Sequence, residues 1–410
     1  MATLLVVTVF LTTILLYGCA GGSPATVSTP ANDKSATVEP KPTQPASSAS
    51  SSDQKQPLKI GAVLSITGPN APLGRPQNNT LKLLEEEINA KGGIGGRPIK
   101  IIIYDDESDE TKAVLVLKKL ISEDKVIAII GSPTSGASLA MMPTVETAKI
   151  PMVSLGSSSK IVDPVQKWVF KTAQRDSSAA GKIYDYLKGR GLTKVAVLND
   201  SNAYGVSGKE QLEALAPGEG ITIVAKESYD SKDTDMTTQL TRIKSSGAQA
   251  LIVWGTNPAP AIATKNARQL ALSIPILQSA GVANKAFIDI AGEAANGVLL
   301  PTSKLLVLDQ IAANDPQKPV ITKFHDDYQA KYGSAPDTFA GNSYDAFQLV
   351  VDAMEKSGTT PEQIRDGIEK TSGLVGINGI YHMTPKDHNG LSKEGFVMIE
   401  IVGGKWKLAK

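Results

Sequence analysis

The sequence predicts an α/β protein built from two doubly wound lobes. Three observations carry this expectation. Near-continuous apolar strands alternate with helix-period segments, the pattern of parallel sheets covered on both faces. The alternation runs through one series and restarts after Asp176. Beyond Leu58 the chain has roughly 350 residues, more than one hydrophobic core usually serves.

Each element has its own signal. Leu58–Leu64 (LKIGAVL) is an apolar strand, and Asn78–Ala90 is a helix with Leu81, Leu84 and Ile88 on one face. Strands are expected at Ile99–Tyr104, Val126–Ile130 and Pro151–Ser154, with helices at Thr111–Ser122 and Ser135–Ala148 between them. The second series comprises strands Lys194–Leu198, Ile221–Glu227, Ala250–Trp254 and Ile274–Gln278. Its helices start near Tyr204, Asp235 and Pro258. Two neighbouring helices, Pro319–Tyr332 and Phe339–Lys356, then suggest a return over the first lobe. Phe347, Val350, Val351 and Met354 form the buried face of the second. Short strands Gly379–Met383 and Phe396–Val402 finish the chain.

The N-terminal residues set the expected compartment. Leu4 to Tyr17 is apolar or small and too short to span a membrane comfortably, so residues 1–18 read as a signal peptide. Small residues around Cys19 resemble a bacterial lipobox, with cleavage before a cysteine that carries lipid. An ordinary secretory signal with an incidental cysteine is the alternative. Met1 to Phe10 lacks the Lys or Arg with which such signals usually begin. Cys19 is the single cysteine of the chain, which excludes an internal disulfide. Residues 19–57 would then be a lipidated cysteine and a disordered Ala/Ser/Thr/Pro tether. Such a tether reaches roughly 30–40 Å. Lys plus Arg (42) nearly balances Asp plus Glu (41), so there is no basic footprint for nucleic acid.

Ligands of open parallel sheets bind beyond the carboxyl ends of the strands. That rule nominates the loops Ser65–Gly74, Gly131–Gly136 and Ser154–Ser159. In the second series it nominates Asn199–Gly205, Gly255–Asn257 and Ser279–Gly281. Two of these loops suit an anion: Ser135 stands at the expected N-cap of a helix, and Ser157 and Ser158 lie in the adjacent loop. Ser135 as a plain helix cap is the competing reading. Gly92–Gly96 follows a helix rather than a strand, which makes it a helix stop and not a dinucleotide fingerprint. GSPTSGAS lacks the Gly-Lys-Ser/Thr of a phosphate loop. Asp105 and Asp106 read as loop and cap residues. His325, His382 and His388 have no metal-ligand spacing, and His388 reads as a solvated turn residue. No nucleophile–base set, cofactor or metal site is expected.

These loops carry a family resemblance. IGAVLSITGPNAPLG, EEINAKGGIGGRPIKIIIYDDESD, VIAIIGSPTSGAS, IPMVSLGSSS, VFKTAQRDS, VAVLNDSNAYG, IVWG and IAGEAANGVLL resemble the leucine/isoleucine/valine-binding proteins of bacterial ABC importers. The resemblance covers most of Leu58 to Leu300 in order. It implies the type I periplasmic binding fold, with three crossovers near Thr172–Ser177, Pro301–Lys304 and Thr384–Asn389. Lobe 1 would be residues 58–175 plus 304–385, and lobe 2 residues 176–303 plus 386–410. The ligand would lie between them. Ser135 and Ser158 match positions that hold a ligand carboxylate, with Gly136 and Ser157 beside them. Gly156 matches a position whose carbonyl faces the ligand ammonium, and Tyr204 an aromatic that closes over the ligand. Leu73 stands where an aromatic is common, and a second aromatic position falls at or beside Asn257, next to Thr256.

One departure bears on the ligand. The family commonly places an acid for the ammonium where this chain has Ala280, next to Gly281. Burying a cation after deleting its partner costs about 3–5 kcal/mol. An aromatic or other apolar carboxylate would not incur that cost. The resemblance therefore implies a monomeric, lipid-anchored, extracytoplasmic substrate-binding protein in the periplasm or on the outer face of the membrane. Its ligand would be a small carboxylate, either a hydrophobic amino acid or an apolar acid. Its partners would be an importer's permease and ATPase. A sensory ligand-binding module on the same fold is the alternative. An α/β enzyme is disfavoured by the missing catalytic set.

Overall fold

A computed structural model describes residues 56–410. The expected signal peptide, Cys19 and all of the tether before residue 56 lie outside the described residues. The first sheet contains β1 (Leu58–Leu64), β2 (Ile99–Asp105), β3 (Ala128–Gly131), β4 (Met152–Ser154) and β5 (Val169–Lys171). Its order is β2-β1-β3-β4-β5 and every pairing is parallel. Helices α1 (Ala71–Ala90), α2 (Glu110–Ser122) and α3 (Ser135–Ala148) make its crossovers.

The second sheet repeats the plan. Its helices are α4 (Asp176–Lys188), α5 (Ala203–Leu215), α6 (Thr237–Lys244), α7 (Ala259–Gln269) and α8 (Lys285–Ala291). Its parallel strands are β6 (Lys194–Asp200), β7 (Thr222–Tyr229), β8 (Ala250–Trp254), β9 (Ile276–Gln278) and β10 (Leu299–Thr302), in the order β7-β6-β8-β9-β10. Both sheets thus reverse winding beside their first strand, the doubly wound signature. The apolar runs explain the parallel pairing: all five residues of β8 are buried, so both of its faces must be covered.

After β10 come α9 (Lys318–Tyr332), α10 (Thr338–Ser357) and α11 (Pro361–Glu369). The hairpin strands β11 (Ser372–Val375) and β12 (Ile380–His382) follow, then β13 (Val397–Val402) and β14 (Lys405–Leu408). α10 returns to the first sheet: Phe347, Val350 and Met354 share a core with Leu58, Ile60 and Leu81. β13 and β14 extend the second sheet in antiparallel fashion beyond β10. The 3-10 stretch Lys304–Gln310 lies against β14, where the Gln310 side chain donates to Trp406 O and accepts from Leu408 N.

The segment that leaves β5 is stitched to the segment between β12 and β13 and to the β11–β12 turn. The Lys171 amide donates to His388 O at 3.1 Å. Asn389 Nδ2 donates to the carbonyls of Lys171 and Ala173. Gln174 Nε2 donates to Asn378 O at 2.6 Å. His388 is not solvated as expected but fully buried. It stacks on Phe170 at 4.2 Å and bonds Val169 O and Glu369. Its turn is folded back onto β5, a long-range contact that local polarity hides.

Candidate functional site

Because both sheets reverse winding, the loops after β1 and β3, and after β6 and β8, diverge and leave a crevice. A cavity of about 230 Å³ lies there, lined by residues from both lobes. That is somewhat below the usual range for small-molecule sites, roughly 300–1,000 Å³, and suits one small solute. Of the sequence-nominated residues, Leu73, Ser135, Gly136, Ser157, Tyr204, Thr256, Asn257 and Gly281 line it. Gly156, Ser158 and Ala280 stand outside its lining.

Two acids staple the first-lobe loops. The Asp105 carboxylate accepts from the amides of Ile66 and Thr67 and from the Thr67 hydroxyl. Burial would raise its pKa, but the Thr67 hydroxyl and the amides of Glu107, Thr67 and Ile66 outweigh this and hold it below the usual value. Asp106 accepts from Ser108 N and Ser132 Oγ; burial prevails there and its pKa rises. Neither caps α2. That cap is Asp109, which accepts from Lys112 N at 2.7 Å. Nor is Ser135 the N-cap of α3, as expected from sequence: Thr134 is, accepting from Ala137 N. Ser135 opens the helix proper, and its hydroxyl accepts from Ser158 N at 3.1 Å.

The loop after β4 is held from behind. The Lys171 ammonium, fully buried, donates to the carbonyls of Ser157 and Ser158 at 2.5 and 3.2 Å. Burial pushes its pKa down, and the nearby Asp176 carboxylate opposes that shift. This brings a cation behind Ser157 while α3 presents its N-terminal end beside Gly136, an arrangement that favours an anion. Gly156 packs inward: a Cβ there would come 3.2 Å from Ser135 Cα. The Ser158 hydroxyl has turned from the cavity to donate to Ser207 Oγ.

The second-lobe wall sets the Tyr204 ring among polar groups, Asn202, Ser231, Lys232, Thr256 and Asn257. Asn202 caps α5 by accepting from Gly205 N at 2.9 Å. Tyr204 then packs against Trp254, 6.0 Å between ring centres. Gly281 permits the close approach, since a Cβ there would lie 2.4 Å from Gly255 O and 2.7 Å from the Tyr204 ring. Asn257 donates to Asn284 Oδ1, and its own Oδ1 makes no hydrogen bond. The sequence reading missed Glu110, Ser231, Lys232 and Phe339. The strand-end rule, extended to the loops after β2 and β7, would have found the first three; Phe339 comes from α10 and has no such signal.

The family profile described as periplasmic binding protein matches residues 57–404. The chain belongs to this family. Among its relatives is a leucine-, isoleucine-, valine-, threonine- and alanine-binding protein of Pseudomonas aeruginosa. It is 25% identical over 329 residues, spanning 78% of this chain and 86% of the relative. An extracellular ligand-binding receptor of Rhodopseudomonas palustris HaA2 superposes with a TM-score of 0.81 at 32% identity. That match covers 86% of this chain and 99% of the receptor. The branched-chain amino acid binding protein LivJ of Streptococcus pneumoniae, solved with isoleucine, gives 0.76 at 27% identity over 86% and 99% of the two chains. The type I periplasmic binding fold of these structures is the fold of this family member, and the resemblance to leucine/isoleucine/valine-binding proteins holds. Among the described residues, no helix is long and apolar enough to cross a membrane.

Proposed function

We propose that the chain is the extracytoplasmic substrate-binding lipoprotein of an ABC importer of the branched-chain amino acid type. It takes a small carboxylate-bearing solute between lobes 58–175 plus 304–385 and 176–303 plus 386–410, and hands it to the permease and ATPase as a monomer. The observation that carries this reading is the cavity at the strand ends of both sheets. There Ser135, Gly136 and Ser157 face Tyr204, Thr256 and Gly281. The carboxylate lies against the first group, backed by the Lys171 ammonium. The apolar body lies against Leu73 and Tyr204. Binding is stoichiometric, without turnover. Lipid on Cys19 holds the protein to the membrane.

The ligand is a branched-chain or other hydrophobic amino acid, or an aromatic or other apolar acid. A thermal-shift panel of leucine, valine, benzoate and a hydroxybenzoate tests this. Ligand at about 100 times its dissociation constant adds roughly 2.7 kcal/mol of stability. Stabilisation by at least one acid is expected. A flat response to all four contradicts the reading.

A further inference from the structure

The cleft cavity has two charged side chains in its lining, Glu110 and Lys232. They come from opposite lobes. Glu110 is the first residue of α2, and Lys232 lies in the loop after β7. Both are exposed. Among the described residues neither has an ion-pair partner, although the charges around them are engaged. Lys112 pairs with Glu107 on the first lobe. On the second, Asp230 and Asp233 flank Lys232 but close their own turn: Asp233 Oδ2 accepts from Asp230 N at 2.9 Å, and Asp230 Oδ1 from Lys232 N at 3.0 Å. The place of Glu110 is set by α3. A Cβ at position 136 would lie 1.7 Å from Glu110 Oε1, so the carboxylate rests on the first turn of that helix. Gly136 has no positive φ; what it supplies is room for this carboxylate. One exposed ion pair already bridges the same two lobes: Lys160, in the turn after β4, holds Glu210 of α5 at 2.7 Å.

We propose that Glu110 and Lys232 are a retention pair: their side chains meet across the mouth of the cleft as the lobes approach, and must part before a bound solute leaves. The inference rests on the binding reading above and adds to it two residues that set the release rate whatever the solute. The chemistry suits. Lysine carries its ammonium on a flexible four-carbon stem, which can cross to a carboxylate fixed on the opposite wall. Opposite charges attract even when exposed, and the gain falls with salt. The competing role for each residue is to act on the solute directly. A solute carboxylate at the start of α3 would then be repelled by Glu110 and attracted by Lys232. The two residues would have opposite effects on its release. The sign of the Glu110 effect therefore separates a pair from two independent charges.

A double-mutant cycle on the full chain tests the proposal. The probe is the tightest-binding of leucine, valine, benzoate and a hydroxybenzoate, and its release is followed by stopped flow. Release is the readout because the arrival of an anion also feels Lys232 through long-range steering. Both side chains are exposed, so the variants should fold. Glu110→Gln and Lys232→Gln should each release the probe about 2- to 5-fold faster, and the double variant no faster than either alone. The differences should shrink in about 1 M salt. Asp233→Asn, next to Lys232 in the chain but outside the cavity lining, should release at the wild-type rate. Slower release from Glu110→Gln, or effects that add in the double variant, overturns the pair and leaves two separate charges. Wild-type release from both single variants overturns it as well. In each of these cases the probe still binds and the binding reading stands. If all four acids are silent on wild type, the proposed function falls and the pair falls with it.

Discussion

The hydroxyl of Ser158, in the loop after β4, donates to the hydroxyl of Ser207, inside α5, at 2.9 Å. The chain continues, because Ser207 donates to Asp176. A loop of the first lobe is thereby tied to two helices of the second through three buried polar groups. The same loop supplies Ser157 to the cavity, so the contact joins lobe approach to the shape of the site.

Ser207→Ala removes the middle of that chain. It leaves the Ser158 hydroxyl without its acceptor and an Asp176 oxygen without its donor. Leaving buried groups unpaired costs about 1–3 kcal/mol. Urea unfolding of the two proteins should show a loss in that range. A loss under about 0.5 kcal/mol, the level of an ordinary surface substitution, would mean that the contact adds little.

Asp387 links two crossovers. It accepts from the amides of Asn389 and Gly390, each at 2.9 Å, and pairs with Arg175 at 3.0 Å. Burial would raise its pKa; the two amides and Arg175 outweigh it, and the carboxyl stays below its ordinary 3.8. A depressed carboxyl contributes stability that is complete above its unfolded value and is lost as pH falls through the folded one. Asp387→Asn should therefore destabilise the protein at pH 7, by about 1 kcal/mol given its partial exposure. The difference from wild type should shrink as pH drops below 3.8. Melts at pH 7 and near pH 3 check this; an equal difference at both contradicts it.

Gly208 sits in α5 directly under the Trp254 indole. An added Cβ would meet Trp254 Nε1 at 2.1 Å, and that ring is fully buried. Overpacking of this kind costs about 1–3 kcal/mol. Gly208→Ala should lower Tm and, by moving Trp254 against Tyr204, also weaken ligand binding. An unchanged Tm would show that the indole has room to shift.

Strands such as Leu58–Leu64 and Ala250–Trp254, and the helix Ser135–Ala148, coincide with their sequence expectations. Their signals are local: apolar runs, period and flanking loops. The start of α1 was less legible. Pro72 and Gly74 fall in the nominated loop Ser65–Gly74 and the helix is expected from Asn78, yet it begins at Ala71. Proline suits a first helical turn, and Gly74 lets that turn press on Ser65, where a Cβ would lie 2.1 Å from Ser65 O. α4 was not among the expected helices, although Ala179, Ala180, Ile183, Tyr184 and Leu187 recur on one buried face of it.

The site was legible as far as it depends on strand ends. Ser135, Ser157 and Tyr204 were reached by that rule and by family likeness, and all three line the cavity. The direction of the Ser158 hydroxyl was not, because its partner is 49 residues away. Gln174 and Asp176 read as a crossover; only the folded chain brings them to one small cavity with Ala280. His388 was misread for the same reason.

The central claim is that a ligand carboxylate is held between the lobes at the start of α3. Its most direct test is the dissociation constant of the tightest-binding acid on Ser135→Ala relative to wild type, by calorimetry. The account predicts one-to-one binding in wild type and a loss of about 10- to 100-fold in the variant, the value of one hydrogen bond to a charged group. Equal affinity in both proteins would contradict it.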